Sequence, residues 1–196
     1  MIIFLDTETT GLYPGNICQL SYVMQDKTSV KAKNMYFAVD NVEYGAYKVH
    51  GLSPEILYEL SGGKVFSDRI DEIEKDFLSA DLIIAHNTAF DFMFLRKEFE
   101  SCNRDFIVKN EFCSMKKMTP VCKIMRSSGK GYKYPKLKEL CDYFYITDRE
   151  LENATIQLFG KGNAYHDARF DTTAVYLAIN KGMQLEEVMQ EIKEYL

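Results

Sequence analysis

Carboxylates stand at the ends of three apolar elements of this chain, at the edges of surfaces that should face a core. It opens MIIFLDTETTGL. Residues 1–5 are too short a run for a helix and fit a central strand. They lead straight into Asp6 and Glu8, which share a face because strand side chains alternate. Further on, Asp91 is followed at helical spacing by Phe94, Leu95 and Phe99, and Asp171 by Ala174, Val175, Ala178 and Ile179. Each aspartate therefore heads the stripe that an amphipathic helix turns inward. An unpaired buried charge is costly, and carboxylates brought together raise one another's pKa. Two arrangements relieve this. Arg or Lys partners neutralise the acids one by one, or hard divalent cations are held by all of them; Mg²⁺ prefers oxygen ligands and leaves positions open for phosphate.

Taken singly, each acid has an ordinary explanation. Asp91 caps its helix, Asp171 pairs with Arg169, and Asp6 with Glu8 ends a strand before a turn. Their joint occurrence favours the cation. His166, five positions before Asp171 at a loop-to-helix boundary, adds a group whose ordinary pKa of about 6.5 suits proton transfer near neutral pH.

Around these residues the pattern reads as strands first, then strands alternating with helices. Residues 17–25 and 33–39 follow the first strand, joined near 26–29 as an antiparallel meander. Ser53 and Pro54 start a helix over 54–60 that stops at Gly62-Gly63. Ser67 or Asp68 begins another, with Ile70, Ile73, Phe77 and Leu78 at helical spacing. Residues 81–86 read as a second buried strand. Thr88 is placed to cap the helix that runs to residue 101, with Asp91 in a capping-box position. Residues 137–145, 167–180 and 186–196 read as helices, with a loop at 163–166. This order implies an α/β domain with a mixed sheet.

With 196 residues, 46% of them hydrophobic and including 13 Phe and 13 Tyr, the chain suits one ordinary domain over 1–196 rather than a disordered segment. No apolar run approaches the roughly 18–20 residues of a membrane span, and no basic region precedes the short apolar start, so neither membrane nor signal peptide is expected. Five scattered cysteines without a CxxC pair point to a reducing, cytoplasmic setting and away from zinc or disulfides. The net charge of −5 conceals an uneven distribution. Residues 112–138 hold eight of the 24 Lys and Arg and none of the 29 Asp and Glu. Such a segment is either a solvated basic loop or a local contact for a polyanion.

Three stretches, FLDTETTGL, AHNTAFDFMFL and YHDARFDTTAVYLAI, resemble in order and spacing the three motifs of the DEDDh (DnaQ-like) 3′–5′ exonuclease family. HGLSPE and KLKELCDYF are weaker echoes, and the likeness extends from residue 2 to about 180. The resemblance implies a ribonuclease H-like fold, a mixed five-stranded sheet flanked by helices. It also implies two Mg²⁺ or Mn²⁺ ions on Asp6, Glu8, Asp91 and Asp171, with His166 as general base. The tyrosine branch of the superfamily needs Y-x₃-D; Tyr165 is six positions before Asp171 and Asp167 is four before it, so the histidine branch fits. The substrate implied is a nucleic acid with a free 3′ end, single-stranded, with a DNA polymerase as a partner. Thr9 and Thr10 amides would meet the 3′-hydroxyl and Leu12 would wedge against a base. His86, Asn87 and Phe90 flank the second motif and are further candidate substrate contacts; His86 and Asn87 read equally as strand-end and loop polar contacts, and Phe90 reads as core more than as a stacking platform. The basic segment would hold the strand's backbone. Where many relatives have Asp-Thr on the strand between the second and third motifs, this chain has Cys113-Ser114. Three functions remain open on sequence: a DNA 3′–5′ exonuclease, an RNA 3′-end trimming enzyme, and a non-catalytic nucleic-acid-binding or polymerase-associated module.

Overall fold

The computed structural model describes residues 1–160 and 166–195. Three strands come first: β1 (Ile2–Thr9), β2 (Ile17–Gln25) and β3 (Val30–Tyr36). They are followed by α1 (Tyr44–His50), α2 (Pro54–Ser61), a 3-10 turn (Phe66–Arg69), α3 (Ile70–Ser79), β4 (Leu82–Ala85), α4 (Thr88–Ser101) and β5 (Glu111–Cys113). The short α5 (Ser114–Lys117) and α6 (Thr119–Cys122) precede α7 (Leu137–Tyr143), α8 (Asp148–Phe159), α9 (Ala168–Gly182), α10 (Glu186–Ile192) and a 3-10 turn at Lys193–Tyr195. The strands lie in the order β3-β2-β1-β4-β5. β1 pairs antiparallel with β2 and parallel with β4, β2 pairs antiparallel with β3, and β4 pairs parallel with β5. This is the mixed five-stranded sheet, and β1 at its centre is why a run of apolar residues opens the chain.

Strand alternation gives the sheet two buried faces. Ile3 and Leu5 of β1 pack with Ile73 and Phe77 of α3 and with Phe92, Leu95 and Phe99 of α4. Ile2 and Phe4 pack on the other face with Ala174, Val175, Ala178 and Ile179 of α9, backed by Leu140 of α7 and Leu151 of α8. The small residues of α9 let it lie close against β1. Continuing the even row, Asp6 and Glu8 extend toward the head of α9, where Asp171 sits. Among the described residues, no helix is long and apolar enough to cross a membrane.

Several boundaries differ from the sequence expectation, each for a local reason. β3 begins at Val30 rather than 33 because Asp26 closes a tight turn, its carboxylate accepting from the Thr28 and Ser29 amides. Thr88 does not cap α4. It is the first helical residue, Asn87 holds the cap position without a side-chain bond, and Asp91 turns to Thr7 instead of back to the cap. The helix expected over 137–145 ends at Tyr143, and Tyr145 lies outside it at φ 54°. α1 and α8 have no counterpart in the sequence expectation. α8 carries a readable signal, Thr147 three residues before Glu150, and the Thr147 hydroxyl does accept the Glu150 amide at 3.2 Å. α1 buries none of its residues, so it has no apolar stripe to reveal it. Of the loop expected over 163–166, residues 163–165 lie outside the described residues, as does Leu196 of the last expected helix.

Candidate active site

β1, the head of α4 and the head of α9 meet at one end of the sheet. Asp6, Glu8 and Asp171 each offer a carboxylate oxygen, and these atoms all lie within 4.8 Å of one another. Glu8 and Asp171 are buried and Asp6 half-buried. Asp91 comes from the opposite face of the sheet, past the end of the four-residue β4, and accepts the Thr7 hydroxyl at 2.8 Å. It stands beside the trio, close enough for its charge to act on Asp6 and Glu8.

Among the described residues, no Lys or Arg forms an ion pair with this group, and Arg169 pairs with Asp167 at 2.5 Å rather than with Asp171. One oxygen of Asp171, Oδ1, is buried and has no hydrogen-bond partner among the described residues, while Oδ2 accepts the His166 amide at 3.1 Å. Burial first, and the neighbouring carboxylates second, push Glu8 up to about 8 and Asp6 well above its ordinary value. Burial also lifts Asp91 and Asp171 to about 7, although a hydrogen bond from Thr7 tempers the first and the His166 amide the second. A set of converging oxygens, one of them orphaned and none in an ion pair among the described residues, fits a hard divalent metal.

The surroundings fix these positions. Opposite Glu8 and Asp6 on β2 stand Gln19 and Ser21, both buried. Gln19 donates to Asn34 at 2.8 Å and to Asp167 at 3.0 Å, and accepts the Ala168 amide at 3.3 Å. Thr172 of α9 donates to the Ser21 carbonyl at 3.1 Å. Together they pin the first turns of α9 to β2. Sequence reasoning missed Gln19, Ser21 and Asn34; polar residues at successive inward positions of a β2 that is otherwise apolar were the available signal.

After Glu8 the chain turns through Thr9 to Gly11. The His50 ring accepts the Leu52 amide at Nδ1, so its Nε2–H donates to the Thr9 carbonyl at 3.1 Å. Burial, aided by nearby His166, holds His50 below its ordinary pKa, in keeping with that neutral tautomer. A Cβ on Gly11 would lie 2.2 Å from the Glu43 carboxyl carbon, so a side chain there would push the exposed Glu43 carboxylate aside.

The sequence-predicted contacts divide. His166 is exposed, adopts φ 66°, and is tied by its amide to Asp171. Leu12 is 75% exposed beside the turn, available to a ligand. Asn87 is half-buried, and among the described residues its side chain makes no hydrogen bond. Two expectations, those for the Thr10 amide and for His86, need correction. The Thr10 amide is already used, donating to the Asn16 carbonyl at 2.8 Å, so it is not free for a 3′-hydroxyl. Thr9 uses its hydroxyl on the Gly11 carbonyl at 2.8 Å. His86 has both ring nitrogens engaged: Nε2–H donates to the Pro135 carbonyl at 3.0 Å, so Nδ1 accepts the Ser114 hydroxyl at 2.9 Å. Burial pushes it down to about 4, so it is a neutral structural link rather than a substrate contact. Phe90 packs on Phe94 with ring centroids 4.9 Å apart and joins the edge of the core, in line with its reading as a core residue.

Comparison with known proteins identifies the family. The RNase_T family model, described as an exonuclease, matches residues 3–179. The chain is similar to the DNA polymerase III subunit epsilon of Salmonella typhimurium, 33% identical over 190 residues that cover 92% of this chain and 71% of the relative. It is similar to the subunit of the same name from Escherichia coli at 32% identity, with the same coverage, and to that of Buchnera aphidicola at 27%, over 83% of this chain and 70% of the relative. In fold it matches the nuclease domain of 3′hExo, a DEDDh family member bound to rAMP, with a TM-score of 0.63 and 12% identity over 93% of this chain and 90% of that one. On these matches the chain belongs to the RNase_T exonuclease family and shares the fold of that nuclease domain.

Proposed function

We propose that this chain acts as one exonuclease domain over residues 1–196, hydrolysing phosphodiesters at the 3′ end of a single DNA strand and releasing nucleoside 5′-monophosphates. Its setting would be proofreading or repair in the cytoplasm, beside a DNA polymerase, in keeping with the epsilon subunits it is similar to. The observation that carries this reading is the trio of carboxylates within 4.8 Å of one another, with an orphaned Asp171 oxygen in it. That arrangement is a poor resting state for protein alone and a good one for cations.

Two divalent ions, Mg²⁺ or Mn²⁺, would neutralise the attacked phosphate, lower the pKa of the attacking water and stabilise the departing 3′-oxygen. Asp6, Glu8 and Asp171 would hold the ion on the side of attack, and Asp6 with Asp91 the other. His166 would take the proton from the attacking water; its exposed ring and the tether of its amide to Asp171 suit that role. His50 would keep the Thr9 carbonyl turned away from the terminal nucleotide. The Thr9 amide, Leu12 and the Asn87 side chain would meet the end of the strand.

The test is a product ladder. The protein is given 5′-labelled DNA and RNA strands, single and double, with Mg²⁺, Mn²⁺ or a chelator. Stepwise shortening of single-stranded DNA that stops in chelator is the expected result. Shortening of RNA alone would reassign the substrate, and binding without shortening would remove the catalytic reading.

A further inference from the structure

Beyond the carboxylate site, the most cationic part of the chain forms a defined object. After α6, the chain makes a short two-stranded ribbon. Met125 and Tyr132 form an antiparallel bridge, Lys133 donates its amide to Ile124 at 2.8 Å, and Arg126 donates its amide to Gly131 at 3.1 Å. The Arg126 Nε–H donates to the Tyr132 carbonyl at 2.9 Å, and Gly129 and Gly131, at φ 70° and 71°, turn the tip. Of the eight cations between residues 112 and 138, Lys117, Lys133 and Lys138 are spent on Glu191, Glu139 and Asp142. Lys123, Arg126, Lys130 and Lys136, all on the ribbon or its base, are exposed and have no ion pair among the described residues. Tyr132 and Tyr134, interleaved with them, are 40% and 54% exposed.

The ribbon's position is fixed relative to the active site. Its returning end is held at Pro135, whose carbonyl accepts His86 Nε2–H at 3.0 Å, while Ser114 at the end of β5 holds the other side of that ring at 2.9 Å. His86 is the residue after Ala85, and Ala85 pairs with Leu5, the residue before Asp6. The buried Ser114–His86–Pro135 link therefore roots the ribbon at the same end of the sheet as the carboxylates. The rest of the chain outside residues 112–138 carries 16 basic and 29 acidic residues, so the ribbon is a cationic island on an acidic body.

We infer that the 123–136 ribbon is a nucleic-acid-gripping arm that holds the single strand upstream of the 3′ end being cut. Lys123, Arg126, Lys130 and Lys136 face successive phosphates, and Tyr132 and Tyr134 offer stacking faces to bases. Unneutralised cations with interleaved exposed aromatics are what a sequence-tolerant single-strand grip uses. The acidic trio repels phosphate when no cation is bound, so a separate cationic hold is what would keep the strand near the site between cleavages.

This inference rests on the proposed function for the identity of its ligand, so the experiment separates the two. Binding of a 5′-fluorescent 20-nucleotide single strand is measured by anisotropy in chelator, where hydrolysis does not contribute. Lys123→Ala/Arg126→Ala/Lys130→Ala/Lys136→Ala should weaken binding at least about tenfold. It should also lower the slope of log affinity against log salt by up to about 3, at about 0.7 for each phosphate no longer neutralised. Tyr132→Ser/Tyr134→Ser, which keeps the charge, should weaken it about tenfold while leaving that slope unchanged. With Mg²⁺ present, the fourfold variant should raise KM for the long strand without changing kcat, and should hydrolyse the p-nitrophenyl ester of thymidine 5′-monophosphate, too small to reach the ribbon, at the parent rate. Parent-like affinity and salt slope in the fourfold variant would overturn the arm and leave the ribbon to an acidic protein. Equal losses on the long strand and the small ester would also overturn it, by showing a structural role. A parent protein that binds the strand through these cations but cleaves nothing would sink the proposed function and spare the arm.

Discussion

Asp167 and Asp171 lie one helical turn apart at the head of α9, and their surroundings are opposite. Asp167 is half-buried, and burial alone would raise its pKa; hydrogen bonds from Arg169 and Gln19 instead hold it below its ordinary value. Asp171 is buried with one oxygen unpartnered among the described residues and is pushed up to about 7. The same helix thus supplies one carboxylate whose charge is satisfied by protein and one whose charge is left for something else. A buried charge without a partner persists only where another requirement maintains it. The difference between these two aspartates is therefore a local measure of what the site is built to hold.

The largest effect should follow from breaking the unsatisfied side. Asp6→Ala should cut hydrolysis by more than the roughly 10²–10³-fold typical of losing one electrostatic donor. It should also raise the thermal midpoint in chelator, because one member of a repelling group is gone. Comparable turnover by variant and parent in Mg²⁺ would defeat the site. His166→Ala should lose about 10²–10⁴-fold and flatten the low-pH limb of kcat/KM; a pH–rate profile identical to the parent's would remove His166 as the base.

Breaking the satisfied side should do the reverse. Arg169→Ala leaves Asp167 facing Glu8 and Asp171 with its main partner gone. It should cost about 1–3 kcal/mol of stability, the usual penalty for a buried polar group left unpaired. Activity should fall about 10–100-fold, as for outer-shell changes at metal sites. If Arg169→Ala instead matched Asp6→Ala in lost activity with no loss of stability, the two aspartates would not be playing different parts.

The contrast also has a pH signature. Glu8 is raised to about 8, and Asp91 and Asp171 to about 7, against about 4 in an unfolded chain. Between roughly pH 4 and 8 the folded chain therefore binds more protons than the unfolded one, and stability falls as pH rises through that window. In chelator the thermal midpoint should drop by at least about 10 °C between pH 5.5 and 8.5, given about 1.4 kcal/mol per pKa unit and about 2–4 °C per kcal/mol for a chain of this size. Mg²⁺ should recover most of that loss at pH 8.5 and little at pH 5.5. A midpoint independent of pH across this range, with and without metal, would contradict the raised values.

Much of this is legible in residue order because periodicity reports faces. The even row of β1 and the apolar stripe of α9 are written in sequence, and both end in acids that the fold brings together. What the sequence does not show is which polar group each acid meets. Arg169 stands two residues from both Asp167 and Asp171, and spacing alone does not decide between them; α9 directs it to Asp167. The Thr10 amide is taken by Asn16 in a turn whose path depends on buried Glu98, which accepts the Ile17 amide at 2.9 Å and the Asn16 side chain at 3.1 Å. His86 reads in sequence as a substrate contact because its two partners, Ser114 and Pro135, lie 28 and 49 positions away. Side-chain partners of this kind follow from tertiary position, which local pattern does not encode.

The smallest expected effect tests how the satisfied side is maintained. Gln19 joins three groups: Asn34, Asp167 and the Ala168 amide. Gln19→Leu keeps the volume but removes both the donor to Asp167 and the acceptor of that amide. Arg169 remains on Asp167 through two hydrogen bonds, so the carboxylate keeps its charge partner. The variant should therefore lose only about 1 kcal/mol, the ordinary contribution of a hydrogen bond, and retain activity within about tenfold. Its KM should stay near the parent's while kcat falls, since Gln19 would act by positioning the first turn of α9 rather than by touching substrate. A loss as large as that of Arg169→Ala would mean that the cross-strand amide, and not the guanidinium, is what separates Asp167 from its unpaired neighbour.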